Sequence, residues 1–198
     1  FLCALAGSYT FSIALSMLDP VVASLNAIYI FYVVFGACGN TIVGIITLNN
    51  RCLHGACNIL IAISSTLDTI DLIGHVPMIV DIFSAGQPST PMTCLAYEIA
   101  PLAGSLGGSA MICSIAFDRL LACSAPNIYK SKNDCTYIVL HLTAVFFYTS
   151  LQMTLLILNI GTSPFHCSLP AMFRGTSKHF WVLGTIMLDT IALIFYAV

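Results

Sequence analysis

The sequence predicts an all-α protein built into a membrane, and three observations carry that prediction. Of 198 residues, 59% are hydrophobic and only 7% are charged, where a soluble domain carries about 25% charged residues. The apolar residues gather into five runs of spanning length, roughly 25–49, 57–83, 93–123, 135–160 and 178–198. None shows the period-two alternation of a membrane barrel, so the spans read as helices. Short polar connections make successive helices antiparallel neighbours in a bundle.

Taken in order, the chain opens on a sixth apolar stretch, residues 1–18, ended by Asp19-Pro20. It reads as a signal-like segment, an extra helix, or sequence foreign to the bundle, so residues 1–24 are set apart from the rest. Run three organises the remainder. It is uncharged from Ile99 to Phe117, preceded by Cys94 and followed by Asp118-Arg119. At about 1.5 Å per residue, Cys94 to Arg119 spans roughly 37 Å, a little more than the ~30 Å hydrocarbon core. One end therefore lies on each side of the bilayer. The first residue is Phe, and the last run reaches Val198 without a polar tail, which reads as a fragment.

Orientation follows from the six basic residues. Arg51, Arg119, Lys130 and Lys132 share one side, while Arg174 and Lys178 lie on the other; the first side is cytoplasmic by the positive-inside rule. This topology puts Cys52, Cys57, Cys123 and Cys135 at the reducing face and Cys38 and Cys113 inside the bilayer. Cys94 and Cys167 remain in outer segments, where a disulfide persists. A Cys94–Cys167 bridge is expected, the alternative being two ordinary buried thiols; Cys3 has no assigned place. A net charge of −2 with no basic run leaves nothing to neutralise phosphates, so nucleic acid is excluded as a partner.

Asn40 in run one and Asp68 in run two fall at similar depth, some 13–16 Å into the membrane, and are expected to form an intramembrane polar network. A carboxylate at that depth marks function by default, or else is kept neutral by burial. Asp68, Asp71 and His75 share one helical stripe, which fits a proton relay or an ion or metal transporter. A metal needs three or four ligands, however, and the other helices offer only the isolated Asp189 and His141. No metal site, cofactor or catalytic residue is expected, since HExxH, Gly-x-Ser-x-Gly and Gly-x-Gly-Asp are all missing from the sequence. Asp118-Arg119 ends run three at the inner rim. Arg119, planar and always charged, is placed to be restrained beside Asp118 in one state and offered to a cytoplasmic partner in another. Pro101 interrupts the upper part of that run, beside Gly104, Gly107, Gly108, Ser105 and Ser109; close packing explains the glycines, and Pro101 is expected to kink the helix.

Over residues 25–198 these features resemble the rhodopsin-like (class A) family of G-protein-coupled receptors. Gly39-Asn40 matches the Gly-Asn of its first helix, and Asn58 and Asp68 keep the ten-residue interval of its second, followed by Pro77. Cys94 to Asp118 reproduces the 24-residue interval from the helix-three Cys to the Asp-Arg-Tyr motif, and Cys167 matches the second-loop Cys. Leu120 stands where that motif has Tyr, and the Trp of helix four and Pro of helix five are missing. Asp-Arg-Leu-Leu-Ala with Pro126 and Tyr129 is most similar to nematode serpentine chemoreceptors of the Srsx type. The resemblance implies a seven-transmembrane receptor-like helical bundle truncated after the fifth helix. It further implies a plasma-membrane location with the N-terminal side of the first receptor helix extracellular. A small ligand is expected around Pro101, Leu102 and Ser105, and a heterotrimeric G protein at Asp118 and Arg119. Pro101 occupies the position at which amine receptors carry Asp, and Gly108 the position of a sodium-site Ser, which disfavours both ligands at those positions. The alternatives are a non-signalling receptor fragment and a membrane transporter.

Overall fold

A computed structural model of the protein describes residues 20–76, 90–161, 167 and 172–197. Among the described residues, five helices are long and apolar enough to cross a membrane: α1 (Pro20–Asn49), α2 (Ala56–Ile73), α3 (Pro91–Ser124), α4 (Asp134–Leu158) and α5 (Gly175–Ala197). A 3-10 turn, Arg51–Leu53, joins α1 to α2, and a short connecting helix, Pro126–Ser131, joins α3 to α4. The protein is the all-α membrane bundle that the apolar runs predict. The first 19 residues and Pro77 lie outside the described residues.

Local chemistry sets the helix ends. α1 starts at Pro20, five residues before the run at 25, because a proline's fixed φ and missing N–H suit a first turn and nothing in Val21–Ser24 breaks the helix. α2 gives way at Gly74, whose N–H bonds the Asp71 carbonyl at 2.9 Å. At the start of α3 the Thr90 hydroxyl accepts from the Thr93 N–H at 3.3 Å, with Pro91 in the first helical position. Asn133 does the same for α4, accepting from the N–H groups of Cys135 and Thr136 at 3.0 and 3.3 Å. Such caps satisfy donors that a helix start leaves open. α5 begins at Gly175, whose φ of 53° suits glycine.

α3 is the axis of the bundle. Half of its most apolar window is buried, against 6% for α1 and for α5, and α2, α4 and α5 all pack on it while α1 packs on α2. One core cluster gathers Cys94, Leu102, Leu106, Leu156, Cys167, Met172 and Phe173. A second gathers Leu60, Ala110, Met111 and Val145 further along α3. Beside the first cluster α2 and α3 meet backbone to backbone at Gly104, where an added Cβ would stand 2.6 Å from the Leu67 carbonyl oxygen and 2.8 Å from the Asp71 nitrogen. Small residues permit this approach in membranes, where packing rather than apolar burial joins helices. Large side chains such as Phe31, Phe35, Leu140, Phe146 and Leu193 are exposed on the outside of the bundle, as a lipid-facing surface requires.

The sulfurs of Cys94 and Cys167 are bonded, 2.01 Å apart, and Cys38, Cys52, Cys57, Cys113, Cys123 and Cys135 are free. The bridge marks one end of the bundle. Asp118 marks the other.

Candidate functional site

At the Asp118 end the sequence places an acid, a base and a proline within nine residues, and the helix break at Ala125 folds the connecting helix back beneath α3. Asp118 is fully buried. The Lys132 ammonium lies 3.8 Å from its Oδ1, and the Tyr129 hydroxyl donates to its Oδ2 at a long 3.4 Å. Lys132 sits between two aromatic rings, 4.0 Å from the Tyr129 centroid and 3.5 Å from that of Tyr137, and also lies 3.5 Å from Asp134. The rings offer their negative faces to the ammonium, which helps to hold a lysine only 12% exposed beside the acid. Burial, then the Asp118 charge and the hydrogen bond to it, push the Tyr129 phenol up to about 12. It stays a donor at every physiological pH.

Arg119 takes no part in this cluster. It is exposed and forms no ion pair among the described residues, so the restraint of Arg119 by its neighbouring Asp is not seen. The helical turn of about 100° between adjacent residues points the two side chains apart, and the acid meets the connecting helix instead.

The disulfide end contrasts with it. Pro101 and Leu102 are buried and Ser105 is half-buried. Leu102 belongs to the cluster beneath the disulfide, while Pro101 packs against α2 where Gly74 has no side chain; a Cβ there would fall 2.3 Å from Pro101 Cβ and 2.7 Å from Glu98 Oε2. Glu98 is fully buried, and among the described residues neither of its carboxylate oxygens has a hydrogen-bond partner. Oδ1 of Asp71 is buried and, among the described residues, without a hydrogen-bond partner as well. Asp71 stands close enough to Glu98 for their charges to interact, and the Ser105 hydroxyl reaches its carboxyl. One turn along α2, His75 Nδ1 shares a hydrogen bond with the Tyr29 hydroxyl of α1. The predicted residues Pro101 and Ser105 are thus brought together with an acid that the sequence reading passes over.

Asn40 and Asp68 are not joined. Both are half-buried, and among the described residues no hydrogen bond links them; Asp68 turns to α3, where its Oδ1 would lie 2.7 Å from a Cβ on Gly108. Asp189 stands exposed on α5. Among the described residues no group of three or more His, Cys, Asp or Glu is placed to hold a metal. A cavity of about 410 Å³ opens instead between α3, α4 and α5, lined by Cys113, Phe117, Tyr137, His141, Leu188 and Phe195 among others. A second, of about 270 Å³, lies between α1 and α2.

Glu98 and Tyr137 escape the sequence reading, and Lys132 and Tyr129 are read there without their contact with Asp118. For Glu98 a signal existed, since 98, 102 and 105 fall at i, i+4 and i+7 on one face of α3. Lys132 carried no such signal, because its partner is reached only by the fold of the connecting helix.

A family model described as serpentine type 7TM GPCR chemoreceptor Srsx matches residues 33–198. Comparison with curated proteins gave no match.

Proposed function

From the membership of this chain in the Srsx family of serpentine seven-transmembrane chemoreceptors, we propose that it serves a plasma-membrane receptor passing a small-ligand signal to a heterotrimeric G protein. The disulfide end faces outward and holds the ligand near Pro101, Leu102 and Ser105. The Asp118 end faces the cytoplasm. The observation that carries the reading is the division of labour between adjacent residues: Asp118 is buried and occupied by Lys132 and Tyr129, while Arg119 is exposed and forms no ion pair among the described residues. Arg51 and Lys130, both exposed, lie on the same side and give that face a positive field for an acidic partner surface.

Ligand binding acts here by shifting a two-state equilibrium, and it shifts it only as far as its affinities for the two states differ. α3 is the physical link, since it carries the outer acid, the Gly104 contact with α2 and the inner Asp118-Arg119 pair on one continuous helix. Asn40 and Asp68 lie along this route as polar groups at mid-depth. In cells expressing the receptor that contains this chain, Arg119→Ala is expected to lower G-protein activation at least tenfold at equal surface expression. Unchanged activation refutes the coupling role.

A further inference from the structure

His141 stands seven residues into α4, about 10 Å from Asp134 along the helix, at a depth where the bilayer offers no water to bond. It is only 7% exposed. Among the described residues its contacts are with rings, Tyr137 edge-on at 4.5 Å and Phe117 tilted at 5.9 Å between centroids, and no hydrogen bond reaches its nitrogens. A ring face is a weak partner, and a polar group buried without a better one is costly. The Asp118 and Lys132 charges are felt at the imidazole, but they are of opposite sign and already face each other.

What the imidazole does border is the cavity of about 410 Å³ between α3, α4 and α5. Small-molecule sites run to roughly 300–1,000 Å³ and are mostly apolar with a few placed polar groups. Here Ala110, Phe117, Leu188, Ile191 and Phe195 supply apolar wall. The Tyr148 hydroxyl, also in the lining, is taken up by Gln152. Ser114 adds a half-buried hydroxyl from α3. Leu140 and Ala144 border the cavity and are exposed on the outside of α4, so entry is from the bilayer.

We infer that this cavity binds an uncharged, lipophilic molecule bearing one hydroxyl, an alcohol or a phenol, with His141 as its hydrogen-bond partner. The chemistry selects that class. A neutral imidazole has one donor and one acceptor nitrogen. A hydroxyl answers either, a carbonyl only the donor, and an alkyl group neither. An anionic ligand would find no lysine or arginine in the lining, and a cationic one no acid. A lipid acyl chain would fill the space and leave the imidazole as it is. The site is separate from the outer region around Pro101, Leu102 and Ser105 and does not depend on the receptor reading. Two lining residues join it to the Asp118 cluster: Phe117 precedes Asp118 in α3, and the Tyr137 ring holds the Lys132 ammonium at 3.5 Å.

The test uses the protein in lipid nanodiscs, with trifluoromethyl-diazirinyl benzyl alcohol as a photoaffinity probe. The competitor is 4-phenylphenol, and the control is 4-methylbiphenyl, which has the same shape with a methyl group for the hydroxyl. Illumination and peptide mass spectrometry are expected to place the label on lining residues of α3, α4 and α5. At equal concentration in the bilayer, 4-phenylphenol should suppress that label and 4-methylbiphenyl should not. In His141→Leu the 4-phenylphenol needed should rise about tenfold, the worth of one hydrogen bond in a dry site. Ala144→Trp, at an exposed position, should obstruct the cavity and abolish the label without lowering the thermal midpoint of the unliganded protein. Any of four results overturns the site: label spread evenly over lipid-facing residues such as Phe146 and Leu193, equal suppression by 4-methylbiphenyl, parental suppression in His141→Leu, or undiminished label in Ala144→Trp. The first two readouts use the unaltered protein and decide the matter even if a variant fails to fold. None involves a G protein, so failure here leaves the Arg119 coupling test standing, and failure of coupling leaves this site standing.

Discussion

Glu98 and Asp118 are both fully buried acids on α3, about 30 Å apart along the helix axis, and their surroundings could hardly differ more. Asp118 is met by a lysine, a tyrosine hydroxyl and two aromatic rings, all supplied by the connecting helix and the start of α4. Glu98 is met by a glycine, a proline and a second acid. At one, closed end the chain sets a cation against the acid, at 3.8 Å and without a hydrogen bond between them. At the other, open end it sets a second acid. The contrast teaches that equal burial of two acids on one helix does not imply equal surroundings: one faces a cation and a hydroxyl, the other a second acid.

The comparison is broken most forcefully at the closed end. Lys132→Met strands a buried carboxylate, and losing one partner of a buried pair is expected to cost about 3 kcal/mol of stability. Adding Asp118→Asn should restore most of that, because the charge leaves with its partner; denaturant titration of the single and double variants in detergent micelles measures both. If the single variant is as stable as the parent, Lys132 is not the counter-charge of Asp118.

At the open end the disulfide is the principal restraint. Cys94→Ser opens a link between residues 73 apart in sequence and is expected to cost about 3 kcal/mol or somewhat less, given that the bundle already limits the free chain. It should leave the Lys132 cluster intact, so that protection of Lys132 from amine-reactive labelling stays the same. Loss of that protection means that the two ends are more tightly joined than their separation implies. Between them, Gly104→Ala tests the contact that both ends share. A Cβ directed at two backbone atoms forces α2 and α3 apart, for about 1–3 kcal/mol, read as a fall in the thermal midpoint.

The smallest effect sharpens the chemistry of the closed end. Tyr129 ionises at about 12 in the fold against 10.0 for a free phenol. A group whose proton is held more tightly in the folded state contributes stability that is complete below pH 10 and is lost as pH rises towards 12. Tyr129→Phe should therefore flatten the loss of stability in that window, seen by comparing unfolding midpoints from pH 9 to 12. An identical alkaline slope in both proteins removes Tyr129 from contact with the Asp118 charge.

Much of this molecule was decided by the order of its residues. Apolar runs of bilayer length, punctuated by Asp19-Pro20, the Thr90-Pro91 cap and Asn133, specify five spans, because hydrocarbon leaves a backbone no hydrogen-bond partner but its own helix. The inside-outside distribution of cysteines led to the Cys94–Cys167 bridge, since only oxidised surroundings keep two thiols joined. Side-chain pairing was beyond reach. Periodicity says which residues share a face of one helix, but not which face of a neighbour it meets. Tertiary structure alone turned Asp68 to Gly108 rather than Asn40, gave Asp118 to Lys132 rather than Arg119, and closed Glu98 between Gly74 and Pro101. The reason is that contacts between helices depend on their rotation and approach, and these follow from where two backbones can come close, as at Gly104, rather than from any single helix's sequence.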